Sequence, residues 1–232
     1  MKYRLVLWDL DGTLIKTEEG IYSCVRHAFA RLGLSGPEPQ VLRRFIGPSL
    51  YDSFTKRCGL PPEQADAAVE FYRERYNVTG LFEAEVYPGI PEALEALAKA
   101  GVMQMVVTSK PQVTARRVVE HFGIMRYMRD LIGPGFSDRG SHKEGMILAA
   151  VDRANELAAE AGEPPISLSQ VLMVGDTRFD AEGAAAAGVD CAGNLYGYGT
   201  REELIAAGAK HLVETPAEIV EIVEIVTGEA EA

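Results

Sequence analysis

Downstream of Pro88-Gly89 the sequence alternates between short apolar runs and stretches with helical spacing, and this alternation limits the possible folds more than any other feature. The apolar runs have the length of buried strands, and the stretches between them carry the apolar spacing of one helix face. Parallel sheets covered by helices on both faces produce such sequences. We therefore predict an α/β fold with a doubly wound, mostly parallel sheet. Strands are expected at residues 2–8, 102–108, 131–132, 171–174, 189–192 and 211–213, and helices at 91–100, 112–122, 143–161, 179–187, 202–207 and 217–226.

The stretch between the first strand and residue 85 has a different pattern. Helical spacing runs through residues 18–34, 38–46, 48–58 and 61–79, with breaks at Gly47-Pro48 and Pro61-Pro62, and no strand pattern interrupts it. We therefore predict a core domain of residues 1–16 and 85–232 that is interrupted by an all-helical domain of residues 17–84. Hinges between the two are expected near residues 15–18 and 83–88.

Composition excludes several classes of protein. The 232 residues are 47% hydrophobic and 25% charged, as in an ordinary globular protein. The net charge of -11 argues against binding to nucleic acids or acidic membranes, which requires a basic face. No apolar run approaches the ~18 residues of a membrane span, and Asp9 ends the first run well short of a signal peptide. Three widely spaced cysteines favour reduced thiols and a cytoplasmic location, whereas no feature sets the oligomeric state.

Two aspartates follow the predicted first strand directly. Asp9 and Asp11 lie two residues apart where the backbone turns, so both carboxylates can converge on one point. Close carboxylates repel unless a cation or a shared proton relieves them. Gly12 suits a sharp turn, and Thr13 adds a hydroxyl. The segment fits metal binding with nucleophilic and acid–base chemistry on an anionic substrate, but an ordinary Asp-Gly turn accounts for it equally well.

Three further polar segments also lie near the ends of predicted elements, where sites in doubly wound sheets are found. Thr108 and Ser109 can hydrogen-bond a phosphate oxygen or cap the next helix. Lys143 begins a long helix, a position that is unfavourable for a cation unless an anion lies beside it, although a solvated lysine is the simpler interpretation. Asp176 and Asp180 lie four residues apart and can share one ion, or cap and favour the helix N-terminus.

In order, these segments read Asp-x-Asp, Ser/Thr, Lys and Gly-Asp-x-x-x-Asp. In these motifs the chain resembles the haloacid dehalogenase-like hydrolases, a family of aspartate-nucleophile phosphatases with a Rossmann-like core and an inserted helical cap. The resemblance covers nearly the whole chain. Linking stretches such as Val86-Tyr87-Pro88-Gly89-Ile90 and His121-Phe122-Gly123-Ile124 resemble one branch further, which includes proteins labelled phosphoglycolate phosphatase and 5′-nucleotidase.

The resemblance implies a catalytic role for four residues. Asp9 attacks phosphorus and becomes an aspartyl phosphate. Asp11 protonates the leaving alkoxide and later takes a proton from the attacking water. Thr108 hydrogen-bonds the transferring phosphoryl group, and Lys143 balances the charge of Asp9 and the phosphate. The implied phosphate-binding residues are Asp9, Gly12, Thr108, Ser109 and Lys143.

The resemblance also implies Mg²⁺ as the cofactor. Its ligands are Asp9, the backbone carbonyl of Asp11, and Asp176, whereas Asp180 supports the metal through water. Oxygen-rich ligands of this kind suit magnesium. The partner implied is a small phosphorylated metabolite.

Substrate selection is the least constrained part of the prediction. Many relatives carry an acidic residue at the position of Lys16, so the departure lies at the hinge and bears on substrate preference. Arg43 and Arg44 in the helical insert can bind a second anionic group of the substrate or lie in solvent. Lys110 and Arg178 are comparable candidates.

Alternatives to a phosphomonoester phosphatase remain open at this point. A sugar-phosphate mutase transfers the phosphoryl group to another hydroxyl, and a phosphonatase needs a Schiff-base lysine, for which Lys56 is the main candidate. A dehalogenase has no alkoxide to protonate, so Asp11 argues against it. A non-catalytic regulator that binds a phosphorylated ligand would have lost a carboxylate or the lysine. No phosphate loop of the Gly-x-x-x-x-Gly-Lys-Ser/Thr type occurs.

Overall fold

A computed structural model describes residues 2–46, 49–135 and 142–224 of the chain. The sequence predictions for Gly47-Pro48, for Ser141 ahead of Lys143 and for the last helix beyond residue 224 lie outside these residues. The chain forms two compact units. We call them the core unit, Met1–Ile15 with Val86–Ala232, and the insert unit, Lys16–Glu85.

The strands of the described residues are short, as the apolar runs predict. The predicted first strand begins later than expected, and the strand expected at 189–192 is shifted toward the C-terminus. Two further strands of two residues each were not predicted. In chain order the strands are β1 (Leu5–Trp8), β2 (Ile15–Lys16), β3 (Glu85–Val86), β4 (Met103–Val107), β5 (Asp130–Ile132), β6 (Val171–Gly175), β7 (Asp190–Asn194) and β8 (His211–Val213).

Helices connect these strands and build most of the insert unit. Within the described part of the chain, every helix is too short or too polar to cross a membrane. The helices are α1 (Glu18–Arg31), α2 (Pro39–Leu42), α3 (Leu50–Asp52), α4 (Pro62–Tyr76), α5 (Ile90–Lys99), α6 (Gln112–His121), α7 (Lys143–Glu160), α8 (Arg178–Ala187), α9 (Arg201–Ala206) and α10 (Pro216–Glu224).

The core unit is built on a parallel sheet with the strand order β5-β4-β1-β6-β7-β8 among the described residues. The chain runs outward from β1 through β4 to β5, then returns to β6 on the other side of β1. The strand order therefore reverses between β1 and β6, the place where doubly wound sheets open a crevice at the carboxyl ends of their strands. This architecture confirms the predicted fold class.

The sheet is fixed by strands that are buried on both faces. All four residues of β1 are buried, as are the five of β6. Leu5 and Leu7 join one apolar cluster with residues of α7 and α8, such as Ile147 and Ala184. Trp8 is fully buried in the core, and its indole Nε1 donates to Gln104 Oε1 at 3.2 Å. The carboxyl end of β1 is thereby held in a fixed position.

In the insert unit, α1 packs on α4 around an apolar cluster. Phe54 is fully buried in it, with its ring 5.1 Å from that of Phe45. The predicted helices at 38–46 and 48–58 are broken into shorter pieces: α2 is followed by a 3₁₀ turn at Arg43–Phe45, and α3 by a π-helical turn at Ser53–Arg57. Apolar spacing alone did not reveal these breaks.

Candidate active site

Three acidic side chains of the core unit meet at the strand-order reversal. Asp9 directly follows β1, and its backbone N–H donates to Val174 O in β6 at 2.9 Å. Asp176 directly follows β6, and Asp180 lies in the first turn of α8. All three residues are buried, and they offer carboxylate oxygens that lie within 4.8 Å of one another. The structure therefore brings together acids that are up to 171 positions apart (180 − 9).

Lys143 lies between two of these acids. Its Nζ is 2.6 Å from Asp9 Oδ1 and 2.7 Å from Asp180 Oδ1, and its side chain is only 4% exposed. It is the first residue of α7, and Gly183 in α8 allows the approach, because a Cβ there would lie 2.6 Å from Lys143 Cβ. The alternative of a solvated surface lysine is therefore wrong.

The electrostatics of the group are unbalanced. Burial raises the pKa of Asp9 to about 7, against the opposing effect of Lys143. Burial, reinforced by the charges of Asp180 and Asp9, raises the pKa of Asp176 well above its usual range. Burial lowers the pKa of Lys143, but the carboxylates of Asp180 and Asp9 outweigh it and the pKa lies above its ordinary value. Three carboxyl groups thus face one ammonium group, and full ionisation would leave an excess of two negative charges.

This arrangement suits a divalent metal ion. Its donors are carboxylate oxygens, which hard cations such as Mg²⁺ prefer, and a cation would relieve the repulsion that raises the pKa of Asp9 and Asp176. Both carboxylate oxygens of Asp180 already have partners. Thr177 donates to Oδ2 from both N and Oγ1, at 3.1 and 2.8 Å, and Lys143 Nζ contacts Oδ1. The residues present therefore fit the expected metal.

Glycines frame Asp176. Gly12 has φ +92°, and a Cβ on it would lie 2.2 Å from Asp176 Oδ2. Gly197 and Gly199 approach as closely, since their Cβ atoms would lie 2.3 Å from Asp176 Cβ and 2.0 Å from Asp176 O. Between them, Tyr198 N donates to Asp176 Oδ2 at 2.8 Å. The loop at residues 196–199 thus holds the Asp176 carboxylate directly.

Asn194 is a site residue that the sequence analysis missed. It ends β7 and is fully buried. Its Nδ2 donates to Gly12 O at 3.0 Å, and its Oδ1 accepts from Thr13 Oγ1 at 3.0 Å. Thr13 Oγ1 is also 3.4 Å from Asp176 Oδ1. Its position could have revealed it, because Asn194 is a polar residue at the carboxyl end of a parallel strand, as are the predicted acids Asp9 and Asp176.

Asp11 is paired with a lysine rather than grouped with these three acids. Its carboxylate is not among the three that could share a metal, and Oδ1 is 2.6 Å from Nζ of Lys110. Thr108, at the carboxyl end of β4, is buried, and its Oγ1 accepts from Lys110 N at 3.1 Å. Ser109 between them is exposed. The structure thus brings Lys110, a predicted specificity residue, into contact with the predicted acid–base residue.

The other predicted specificity residues are exposed. Arg43 and Arg44 are exposed in the insert unit, and their proposed contact with substrate stays a prediction. Arg178 is exposed at the start of α8, where its guanidinium lies over the Phe179 ring. Lys56 in the insert unit has a side chain that is 73% exposed and is 2.9 Å from Asp52.

Comparison with known proteins identifies the family. The family described as haloacid dehalogenase-like hydrolase matches residues 6–194, a span that begins in β1 and ends with Asn194. This chain belongs to that family. The resemblance predicted from the motifs is thereby confirmed, and all four predicted motifs of this haloacid dehalogenase-like hydrolase lie within the matched span.

Its relatives in the family carry several names. A 5′-nucleotidase from Pseudomonas aeruginosa is 40% identical over 97% of both chains. The protein named tyrosine-protein kinase PtkA of Mycobacterium tuberculosis is 33% identical, over 95% of this chain and 72% of its own. A phosphoglycolate phosphatase from Vibrio parahaemolyticus is 27% identical over 96% of each. The crystal structure of a candidate phosphatase from Clostridium difficile has a TM-score of 0.86 and 34% identity, covering 96% of this chain and 99% of its own.

Proposed function

We propose that this haloacid dehalogenase-like hydrolase is a Mg²⁺-dependent phosphatase that hydrolyses small phosphomonoesters through an aspartyl phosphate on Asp9. The supporting observation is the buried Asp9 carboxylate, held 2.6 Å from Lys143 beside the acids Asp176 and Asp180. A carboxylate nucleophile divides the difficult hydrolysis of a phosphate ester into two easier steps. The names of the relatives support phosphate esters as the substrate class.

The first step transfers the phosphoryl group to the protein. A carboxylate oxygen of Asp9 attacks phosphorus, and the bond from phosphorus to the ester oxygen breaks. The leaving oxygen takes a proton from the Asp11 carboxyl group. In the second step Asp11 takes a proton from water as the water oxygen attacks phosphorus, and the bond to Asp9 breaks. The products are an alcohol and inorganic phosphate, and both aspartates return to their starting state.

The remaining groups hold charge and position. Lys143 keeps the Asp9 oxygen it contacts in place, and Asp180 holds Lys143 from the other side. Thr108 Oγ1 accepts from Lys110 N, so its own proton is left to donate to a phosphate oxygen, with Gly12 and Ser109 as further phosphate-binding positions. Bound Mg²⁺, held by Asp9, Asp176 and the backbone carbonyl of Asp11, with Asp180 supporting it through water, would neutralise negative charge on the transferring group.

Substrate choice belongs, in this proposal, to the insert. Residues 17–84 act as the cap of a core domain formed by residues 1–16 and 85–232. Arg43 and Arg44 are its candidates for binding the part of the substrate that leaves. A phosphoglycolate or 5′-nucleotide type of substrate fits the names of the relatives, and a small cytoplasmic metabolite fits the acidic chain.

The alternative functions differ from a phosphatase either in the group that accepts the phosphoryl group or in the nucleophile. A mutase, or a kinase as the name PtkA implies for that relative, passes the phosphoryl group to an alcohol rather than to water. A phosphonatase needs a desolvated lysine, whereas Lys56 is 73% exposed and paired with Asp52. Among the residues described, nothing specific favours either alternative over hydrolysis.

Phosphate release from p-nitrophenyl phosphate and from a panel of metabolite esters tests the proposal. We expect turnover with Mg²⁺, none with EDTA, and none for Asp9→Asn. Asp152→Asn, the same change at an exposed position of α7, serves as the control and is expected to be fully active. Steady turnover by Asp9→Asn would refute the nucleophile, and transfer to added alcohols without phosphate release would favour a mutase or kinase.

A further inference from the structure

Lys110 has an unusual environment for a lysine. Its side chain is only 7% exposed, and its Nζ is 2.6 Å from Asp11 Oδ1, in a side chain that is 22% exposed. The other oxygen of that carboxylate, Oδ2, has no hydrogen-bond partner among the residues that the structure describes. One oxygen of Asp11 is thus held by an ammonium group while the other is left open.

The backbone around Lys110 is built to keep it there. Thr108 N donates to Ile132 O at 3.0 Å, which extends the pairing of β4 with β5, and Thr108 Oγ1 accepts from Lys110 N. Gly133 closes the turn from the other side, since a Cβ there would lie 2.7 Å from Lys110 O. Immediately after Pro111, Gln112 N donates to Pro134 O at 2.9 Å. The backbone that carries Lys110 is thus anchored to the ends of β4 and β5.

A competing position for Asp11 lies close by. Asp9 is only two residues away, and its carboxylate belongs with those of Asp176 and Asp180 to the group that suits a divalent cation. Carboxylates are the preferred ligands of such cations. Without a partner of its own, the Asp11 side chain could turn toward the same ion and would then be unable to exchange a proton with the ester oxygen.

We propose that Lys110 is a positioning residue that holds the Asp11 carboxyl group apart from the metal-binding acids and so reserves its open oxygen for proton transfer. The inference rests on the proposed function, because it requires Asp11 to be the proton donor. When phosphorus separates from the ester oxygen, the proton that this oxygen receives comes from Asp11, and in the second step Asp11 regains a proton from water.

The leaving group distinguishes this role from a structural one. An alkoxide needs a proton as it leaves, whereas p-nitrophenolate leaves readily without one. A residue that positions the acid is therefore needed for alkyl phosphates more than for p-nitrophenyl phosphate. Loss of folding or of metal binding lowers turnover of both substrates equally.

The experiment measures kcat and KM with Mg²⁺ for glycerol 2-phosphate and p-nitrophenyl phosphate in four variants. For Lys110→Met we expect kcat on glycerol 2-phosphate to fall by up to roughly 10²-fold, the scale of a misplaced catalytic group, with KM little changed. The loss of kcat on p-nitrophenyl phosphate should be smaller by a factor of about ten or more, because departure of p-nitrophenolate does not depend on the acid. Lys110→Arg keeps the charge and should recover part of the loss. Lys99→Met removes an exposed lysine from α5 and should change neither substrate.

Asp11→Asn separates the two claims. It should lower kcat on glycerol 2-phosphate by roughly 10²–10⁴-fold, again with a smaller effect on p-nitrophenyl phosphate. Suppose that Asp11→Asn shows this selectivity, whereas Lys110→Met lowers kcat equally on both substrates or leaves kcat unchanged on both. The positioning role is then wrong and the proposed function stands. If Asp11→Asn itself loses both equally, the acid role in the proposed function fails. Thermal unfolding shows whether each variant is folded. If Lys110→Met is not folded, Lys110→Arg decides. A larger loss of kcat on glycerol 2-phosphate than on p-nitrophenyl phosphate supports the positioning role, and equal losses overturn it.

Discussion

The three buried acids Asp9, Asp176 and Asp180 carry more negative charge, when ionised, than Lys143 neutralises, and this imbalance has a consequence for stability. Repulsion and desolvation in such a group oppose folding until a cation binds. Asp176 is fully buried, and within the described part of the chain no lysine forms an ion pair with it. The metal-free protein should therefore be less stable than its apolar core alone implies.

Asp176→Asn tests that consequence. Because it removes one of the repelling charges, we expect a higher melting temperature than wild type in EDTA. Mg²⁺ should stabilise the wild type, by about 2.7 kcal/mol at a concentration of 100 times its dissociation constant, and should have no comparable effect on the variant. Differential scanning calorimetry with and without Mg²⁺ measures both. Asp152→Asn should behave like the wild type, and equal stabilisation of Asp176→Asn by Mg²⁺ would contradict the assignment of this ligand.

At the scale of secondary-structure elements, the site depends on how closely α7 and α8 pack. Gly183→Ala places a methyl group against Lys143 Cβ and the backbone N of Glu144, neither of which is the end of a flexible chain. We expect a loss of about 1–3 kcal/mol in unfolding free energy, typical of an overpacked contact, together with a lower kcat as Lys143 is displaced.

Gly145→Ala is the matched control, because it is the same substitution in α7 with open space around the added methyl group. There we expect a gain of up to about 1 kcal/mol from helix propensity and unchanged turnover. Urea unfolding and phosphate release give both quantities. Equal behaviour of the two variants would show that the approach of α8 does not position the lysine.

A second element-scale feature lies at the start of β7. Lys2, Tyr3 and Lys210 all donate to Asp190 Oδ2, at 2.6, 2.6 and 2.8 Å. Burial raises the pKa of Asp190, but these hydrogen bonds outweigh it, and the pKa lies below its usual range. The ionised carboxylate therefore connects the start of β7 with the residues that precede β1 and with the residue that precedes β8.

The lowered pKa of Asp190 gives a stability contribution with a defined sign. It is present above the unfolded-state pKa of about 3.9 and is lost as the pH falls through the lower pKa of the folded state. Asp190→Asn should cost roughly 1–2 kcal/mol at pH 7. The difference from wild type, measured by urea unfolding, should shrink below about pH 4. A difference that grows as the pH falls would contradict the account.

Element boundaries show where sequence reasoning succeeded and where it did not. The buried strand before Asp9 and the helix that begins at Lys143 were predicted, because their apolar spacing is regular. β7 extends to Asn194 although Gly193 and Asn194 do not favour strands, since its pairing with β6 and β8 decides the boundary. The pair of two-residue strands β2 and β3 is too short to have any periodicity.

The site divides in the same way. Its acids and lysine could be found because each follows a predicted strand or begins a predicted helix. The contact of Lys110 with Asp11 joins residues 99 positions apart. The contact of Tyr198 with Asp176 uses a backbone N–H, which almost every residue type has and which the sequence therefore does not indicate. Such contacts depend on tertiary packing, which a single sequence does not specify.

At the scale of the whole molecule, the proposed chemistry belongs to the core unit and the proposed selectivity to the insert unit. Arg43→Ala and Arg44→Ala should raise KM for phosphate esters that carry a second anionic group, with little effect on p-nitrophenyl phosphate. The reason is that an arginine can pair with the added charge. Arg73→Ala, on α4 of the same unit, is the control, since Arg73 pairs with Glu70. Equal KM values across the three variants would remove the arginines from substrate binding.

The nucleophile is the claim on which the rest depends, and chemical trapping of the covalent intermediate tests it most directly. The Mg²⁺-loaded protein is quenched during turnover of p-nitrophenyl phosphate, treated with borohydride to reduce any acyl phosphate to an alcohol, and mapped by peptide mass spectrometry. We expect Asp9 to be converted to homoserine in the wild type and to remain unmodified when substrate is omitted. Conversion at another acidic residue, or turnover without any conversion at Asp9, would contradict the account.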